Sequence, residues 1–255
     1  MGRLSSSSRV VLITGGGRGI GADITRAFHA AGDRVAVVSR HDDGLAAELG
    51  ERACHIAADV TRSPEVDAAV ARACEWGGRL DVLVNNAGAS AWRPLADIDD
   101  DFWTAMIAVN LSSVLFACRA AAPRLEPGSV IVNVSSLAGK RGSANNTAYC
   151  AAKFGVNGIT QSLAKELGAR GIRVNAVCPV YVETAGVREA LADARSPARG
   201  QDIDAYLADF ARTQTALGRL PLAGEIAAAC LILASPVAGA VTGQCLNVDC
   251  GVLPQ

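Results

Sequence analysis

Tyr149 and Lys153 are the residues of this chain best placed by spacing for proton chemistry. Four positions apart on a helix, they share one face. An ammonium beside a phenol favours the phenolate and draws a pKa of about 10 toward working pH. Such a tyrosine can give or take a proton. The plainer alternative is a tyrosine packed in the core with the lysine in solvent. Ser136 follows a β-branched run, at what would be the carboxyl end of a strand. A hydroxyl there can hold a carbonyl oxygen, although Ser135 and Ser136 could also simply cap the strand.

A second group of residues points to a phosphate. Val10 to Ile13 runs directly into Thr14-Gly15-Gly16-Gly17-Arg18-Gly19-Ile20-Gly21. Glycines permit a tight turn and let the backbone approach a pyrophosphate at a helix N-terminus. The spacing is Gly15, Gly19, Gly21, not G-x-G-x-x-G, and no lysine follows as a P-loop would require.

The elements that must carry these groups alternate along the chain. Val10 to Ile13, Val35 to Val38, Cys54 to Ala57, Leu80 to Val84, Ser129 to Val134, Ile172 to Val177 and Cys245 to Val248 read as strands. Helical spacing places Ile20, Ile24, Ala27, Phe28 and Ala31 on one face before Gly32. Ser63-Pro64 reads as an N-cap with proline in the first turn. Helices are expected around Asn110 to Ala121, from Tyr149 to Leu167 closed by Gly168, and from Gly224. Alternating elements with continuous apolar strands imply an α/β fold, one doubly wound parallel sheet of about seven strands with helices on both faces. Such sheets bind ligands at the carboxyl ends of their strands. Residues 9–255 are expected to form one domain, and residues 1–8 a polar, flexible tail without the apolar core of a signal peptide. The charged stretch from Glu183 to Leu220 breaks the rhythm and reads as a lid of about residues 183–220.

Composition narrows the function. With 24 basic and 25 acidic residues there is no basic footprint for nucleic acid. The longest apolar run, Ile226 to Ala234, falls short of the roughly 20 residues of a membrane span. The 8 cysteines are scattered with only 3 histidines, so no metal site is expected and the thiols should be reduced core residues of a cytoplasmic protein.

From Val10 to Gly251 the chain resembles the short-chain dehydrogenase/reductase family. The glycine spacing, Asp59-Val60, Asn85-Asn86-Ala87-Gly88, Asn110 and the set Ser136, Tyr149, Lys153 occur in the family's order. The resemblance implies a Rossmann-type sheet and hydride transfer between a nicotinamide and a carbonyl or alcohol carbon. It implies that Tyr149 protonates the forming alkoxide and Ser136 hydrogen-bonds the same oxygen. Lys153 would hold the nicotinamide ribose and lower the tyrosine pKa, and Asn110 would support a water that relays protons to Lys153. Cofactor contacts are expected from Thr14, Gly15, Gly17, Arg18, Gly19, Ile20 and Gly21, and from Asp59, Val60, Asn86, Ala87 and Gly88. Tyr149, Lys153, Pro179, Val182 and Thr184 complete that expected set, with Ser39 and Arg40 at the end of the second strand.

NAD-binding relatives place an acid at the end of the second strand to hold ribose hydroxyls. Here Ser39-Arg40-His41 stands there, and Arg40 with Arg18 can grip a 2′-phosphate. NADP(H) is therefore the expected cofactor, with Asp42 and Asp43 leaving NAD(H) open. Val180 and Cys250 stand where the family commonly has glycine, which puts pocket shape in question. The chain is similar to 3-oxoacyl carrier-protein reductases and polyketide ketoreductases. The leading expectation is an NADPH-dependent ketoreductase acting on a β-ketoacyl, polyketide or cyclic ketone, free or carrier-bound. An alcohol or polyol dehydrogenase acting oxidatively is the alternative, and a non-enzymatic dinucleotide sensor a third reading. Trp92, Tyr181 and the lid are expected around the substrate, either as walls or as packing. A homotetramer is what the family implies.

Overall fold

The structure is a computed structural model that describes residues 8–254. The tail expected over residues 1–8 thus lies, but for Ser8, outside the described residues. Seven strands form one sheet: β1 Val10–Thr14, β2 Arg34–Ser39, β3 Ala53–Ala57, β4 Val82–Asn85, β5 Val130–Val134, β6 Arg173–Pro179 and β7 Cys245–Val248. Their order is β3-β2-β1-β4-β5-β6-β7, and every neighbouring pair is parallel. The chain winds outward from β1 in both directions, so a crevice opens between the carboxyl ends of β1 and β4.

Period-two alternation fills both faces. Val11 and Ile13 pack with Ile24 and Phe28 of α1 (Gly19–Ala30) and with Ile226 and Leu233 of α9 (Ala223–Ala234). Leu12 belongs to the opposite layer, with Val66 of α3 (Ser63–Gly77), Val114 of α5 (Ser113–Ala121) and Val156 of α6 (Thr147–Gly168). Short α2 covers Leu45–Leu49, and α4 covers Asp100–Ile107.

Several local expectations are corrected. Arg62, not Ser63, is the N-cap of α3, and Ser63 instead accepts a hydrogen bond from Arg119. Gly168 is the last residue of α6 and not its stop. The helix expected around Asn110 is one helical run in three parts: α4, a widened π-turn Ala108–Ser112, and α5. By length and composition the 25-residue run Asp100–Arg124 could cross a bilayer. A search for unbroken apolar runs overlooks it, because polar residues punctuate it. In this fold it packs against α3 and α6, with Asn110 and Ser113 buried.

Residues 183–220 form two helices, α7 (Ala185–Ala192) and α8 (Ile203–Gln214). They share a small core of Leu191, Ala198 and Leu207 built on Trp92. Arg188 joins the stretch internally by pairing with both Glu183 and Asp204.

Candidate active site

The crevice between β1 and β4 is closed at its base by polar contacts. The Thr14 hydroxyl accepts from the backbone N–H groups of Asn86 (3.1 Å) and Ala87 (3.2 Å). Asn86 Nδ2 in turn donates to the Gly15 carbonyl (2.9 Å). Gly15 (φ +63°) and Gly19 (φ +52°) adopt the left-handed backbone that makes the turn, and a Cβ on Gly21 would lie 2.0 Å from the Gly15 oxygen. Arg18, the N-cap of α1, gives no side-chain cap, so the first N–H groups of this helix face the crevice without a side-chain partner. That is a seat for an anion. Only the Thr184 side chain comes within 4 Å of where a Gly19 Cβ would stand, at 3.6 Å. Thr14, Gly15, Gly19, Gly21, Asn86, Ala87 and Thr184 are thereby gathered at the N-terminus of α1, next to Arg18.

Ser39 ends β2 and Arg40 follows it, while Asp59 and Val60 lie just beyond β3. Arg18 and Arg40 are exposed and form no ion pair among the described residues. Ser39 is less available: its hydroxyl donates to the His41 carbonyl (2.7 Å) and meets His55 Nε2 at 3.0 Å. Asp59 accepts from the Thr61 N–H (2.9 Å) and hydroxyl (2.8 Å), which hold its carboxyl below the usual carboxylate range. Asp43 lies on the glycine turn, with a carboxylate oxygen 2.3 Å from where a Cβ on Gly17 would be.

The proton-handling group gathers around the end of β5. Ser136 caps a short 3-10 turn, Leu137–Gly139, by accepting from Ala138 N (3.1 Å). Gly139 then lets α6 approach: a Cβ there would lie 2.6 Å from the Lys153 carbonyl oxygen. Asn157 Nδ2 fixes the contact by donating to the Gly139 carbonyl (2.8 Å). Tyr149 and Lys153 are thereby brought beside Ser136. Lys153 is 4% exposed, and its ammonium donates to the Val134 carbonyl (2.9 Å). It stands 5.7 Å from the centre of the Tyr149 ring.

The electrostatics correct one expectation. Burial pushes the Tyr149 phenol up to about 12, with the Ser136 hydroxyl opposing, so the phenol is held protonated and not drawn toward neutrality. Burial likewise brings the Lys153 ammonium down to about 8. Loss of solvation sets the direction at both groups.

Asn110, fully buried in the π-turn, uses both its N–H groups inside the protein, on Ala89 O (2.9 Å) and Met106 O (3.1 Å). Its Oδ1 accepts from Ala89 N (3.0 Å) and would meet a Cβ on Gly88 at 2.8 Å. The side chain clamps the loop after β4 against the π-turn and the end of α4.

A cleft of about 160 Å3 opens above Ser136 and Tyr149, walled by Trp92, Val180, Tyr181 and Phe210. Tyr181 meets Phe210 edge-on at 4.9 Å, and its hydroxyl lies 3.3 Å from that of Tyr206. Trp92 both lines this cleft and packs in the small core with Leu191 and Leu207. Val180 does not adopt positive φ, so the strain expected from a glycine position is absent there, whereas Cys250 does adopt it (φ +55°). Pro179 and Val182 are buried beside the cleft.

Sequence reasoning missed Gly139 and Asn157, which dock α6, and the buried relay Asn85 Nδ2 to Asn133 Oδ1 (2.9 Å) and Asn133 Nδ2 to Thr160 Oγ1 (2.9 Å). Asparagines in the apolar strands β4 and β5 were the signal for that relay. Among the described residues no cluster of metal-ligating side chains occurs.

The profile of the family described as Enoyl-(Acyl carrier protein) reductase matches residues 15–253. A D-threitol dehydrogenase from Mycolicibacterium smegmatis is 36% identical over 95% of this chain and 92% of its own length. A 3-oxoacyl-[acyl-carrier-protein] reductase from Chlamydia muridarum is 32% identical, covering 96% and 97%. A crystal structure of an actinorhodin polyketide ketoreductase variant with NADPH superposes with a TM-score of 0.87 at 35% identity, covering 96% of this chain and 97% of the other.

Proposed function

Given that this chain belongs to the short-chain dehydrogenase/reductase family and is an NAD(P)-dependent oxidoreductase, we propose that it is an NADPH-dependent ketoreductase with Tyr149 as its acid. The observation that carries the reading is a phenol held protonated, with a pKa near 12, beside Ser136 at the floor of an apolar cleft. A ketone oxygen seated between Ser136 Oγ and Tyr149 Oη accepts two hydrogen bonds, which strengthen as negative charge develops on it. Tyr149 then transfers its proton to that oxygen. Lys153, anchored on Val134 O, would use its remaining N–H groups to hold the ribose of a bound nucleotide and would place a positive charge near the phenol as it ionises. Asn110 positions the loop carrying Gly88 and Ala89, and a water relay to Lys153 would run from the backbone of its widened turn. A bound nicotinamide nucleotide supplies the hydride.

The glycine turn, Asp59, Val60, Asn86, Ala87, Gly88, Pro179, Val182 and Thr184 would hold that nucleotide. Preference for NADP(H) is supported by Arg18 and Arg40, two exposed cations in no ion pair among the described residues, Arg40 acting only at longer range on Asp59. Asp43 works against it, and its carboxylate must turn away from Gly17 for a 2′-phosphate to settle. The lid, residues 183–220, would order further over the substrate. Self-association, as in the homotetramer expected above, is supported by exposed Leu115 and Phe154 on α5 and α6, and by Ile232, Val237 and Leu246 at the α9–β7 end.

A second reading, oxidation of a polyol, is favoured by the similarity to a D-threitol dehydrogenase. The protonated phenol opposes it, since oxidation needs the phenolate as base. The test is absorbance at the reduced-nicotinamide band with ketones and alcohols, using both nucleotides, in wild type and Arg40→Asp. Reduction of ketones with NADPH, weakened in Arg40→Asp, is expected. Faster polyol oxidation with NAD at neutral pH would overturn the assignment.

A further inference from the structure

Resting on the reading of this cleft as the ketone site, we infer that Arg141 is a specificity-determining residue that selects ketones bearing an anionic group, carboxylate or phosphate, across a ring-sized apolar body. Among the described residues Arg141 is the only charged side chain lining the cleft, and no carboxylate lines it. It lies five residues beyond Ser136, just past the 3-10 turn, where its backbone is pinned by Arg141 N donating to Leu137 O (3.1 Å). Its exposed guanidinium has no hydrogen-bond or ion-pair partner among the described residues.

The neighbouring arginines differ. Arg93 pairs with Asp99, Arg188 with Glu183 and Asp204, Arg195 with Asp193, and Arg212 with Asp209. Those four guanidiniums are neutralised by carboxylates, whereas the one that lines the cleft is not. The Arg141 charge also reaches the Tyr181 hydroxyl, where it opposes the upward push of burial on that phenol. Arg141 and Tyr181 thus line the same cleft within electrostatic range of each other.

The cleft's size and lining define what lies between the carbonyl and the anion. A volume of about 160 Å3 is close to the roughly 150 Å3 of a cavity that takes one benzene ring. Trp92, Tyr181 and Phe210 offer ring faces and edges to such a body. With the ketone oxygen at Ser136 and Tyr149, the substituent opposite it on the ring is directed to the mouth. A guanidinium there matches the two oxygens of a carboxylate or phosphate.

The test compares 4-acetylbenzoate and 4-acetylphenyl phosphate with uncharged methyl 4-acetylbenzoate, following NADPH oxidation at low ionic strength. Wild type should favour both anions by about tenfold or more in kcat/KM, as charge-assisted pairs at a partly screened site allow. Arg141→Met should bring that ratio to near one and Arg141→Lys should keep part of it. Arg212→Met, whose guanidinium already pairs with Asp209, should leave the ratio unchanged. Preference for only one anion would identify which group the site takes. A wild-type ratio near one, or the same ratio in Arg141→Met, overturns the inference and leaves the ketoreductase reading standing. Thermal melting of the NADPH-bound protein with 4-acetylbenzoate supplies a readout without turnover. A shift in wild type that vanishes in Arg141→Met supports anion capture even if no ketone is reduced, in which case the ketoreductase reading fails. Absence of any shift in wild type, together with absence of preference in turnover, sinks the role of Arg141.

Discussion

Raising the pH through the titration of Lys153 should switch activity and stability in opposite directions. Burial lowers the ammonium from 10.5 to about 8 in the folded protein. Between pH 7 and pH 9 the charged fraction then falls from about nine-tenths to about one-tenth, a loss of roughly tenfold in any rate that needs the ammonium. Tyr149, near 12, remains protonated throughout this range, so the acid itself is not lost. The appropriate quantity is kcat/KM for the nucleotide, which reports ionisation in the free enzyme. It should break near pH 8 in wild type, and Lys153→Met should be slow at every pH without that break.

Stability moves the other way. Because the folded pKa of Lys153 lies below its unfolded value, the unfolded chain binds more protons between about pH 8 and 10.5, and folding gains as pH rises through that window. From pH 7 to 9.5 the gain is on the order of 2 kcal/mol. It is read as the wild-type change in unfolding free energy minus that of Lys153→Met, which cancels the other titrating groups. A rate that stays flat to pH 10, where a solvated lysine titrates, would refute the reasoning. So would an equal pH dependence of stability in the two proteins.

Three further outcomes follow from the geometry. Tyr149→Phe keeps the ring and deletes the hydroxyl, so turnover should fall by well over tenfold while NADPH affinity, read by fluorescence titration, changes little; retention of more than about a tenth of kcat with chemistry rate-limiting would remove Tyr149 from the acid's role. Gly139→Ala drives a Cβ to 2.6 Å of the Lys153 carbonyl and must push α6 from the Ser136 turn. It should cost about 1–3 kcal/mol in chemical denaturation and slow turnover, and a neutral result would show the contact to be slack. Cys250→Gly should relieve the left-handed backbone at φ +55° and stabilise by up to about 1 kcal/mol, seen as a raised melting temperature; a lowered one would mean that the thiol's packing outweighs the strain.

The layered sheet, and Ser136, Tyr149, Trp92, Val180 and Tyr181 around the cleft, were legible in the sequence. Continuous Val, Ile and Leu runs bounded by helical periodicity have few other packings, because each run must be covered on both faces. The glycine turn was legible because close backbone approach and positive φ at Gly15 and Gly19 restrict the residue type. Element ends were less legible: the cap of α3 and the end of α6 depend on local competition for backbone hydrogen bonds. The π-turn at Ala108–Ser112 follows from no propensity and is fixed by the Asn110 clamp on Ala89. Tertiary structure alone decided the protonation states. A spacing of four residues places Lys153 near Tyr149, but only burial, with Lys153 at 4% exposure, reverses the expected direction of the phenol's pKa. It also decided which arginines are free. Pairing of Arg188, Arg195 and Arg212, and the isolation of Arg141 over the cleft, depend on distances between segments far apart in the chain or on side-chain geometry that composition does not encode.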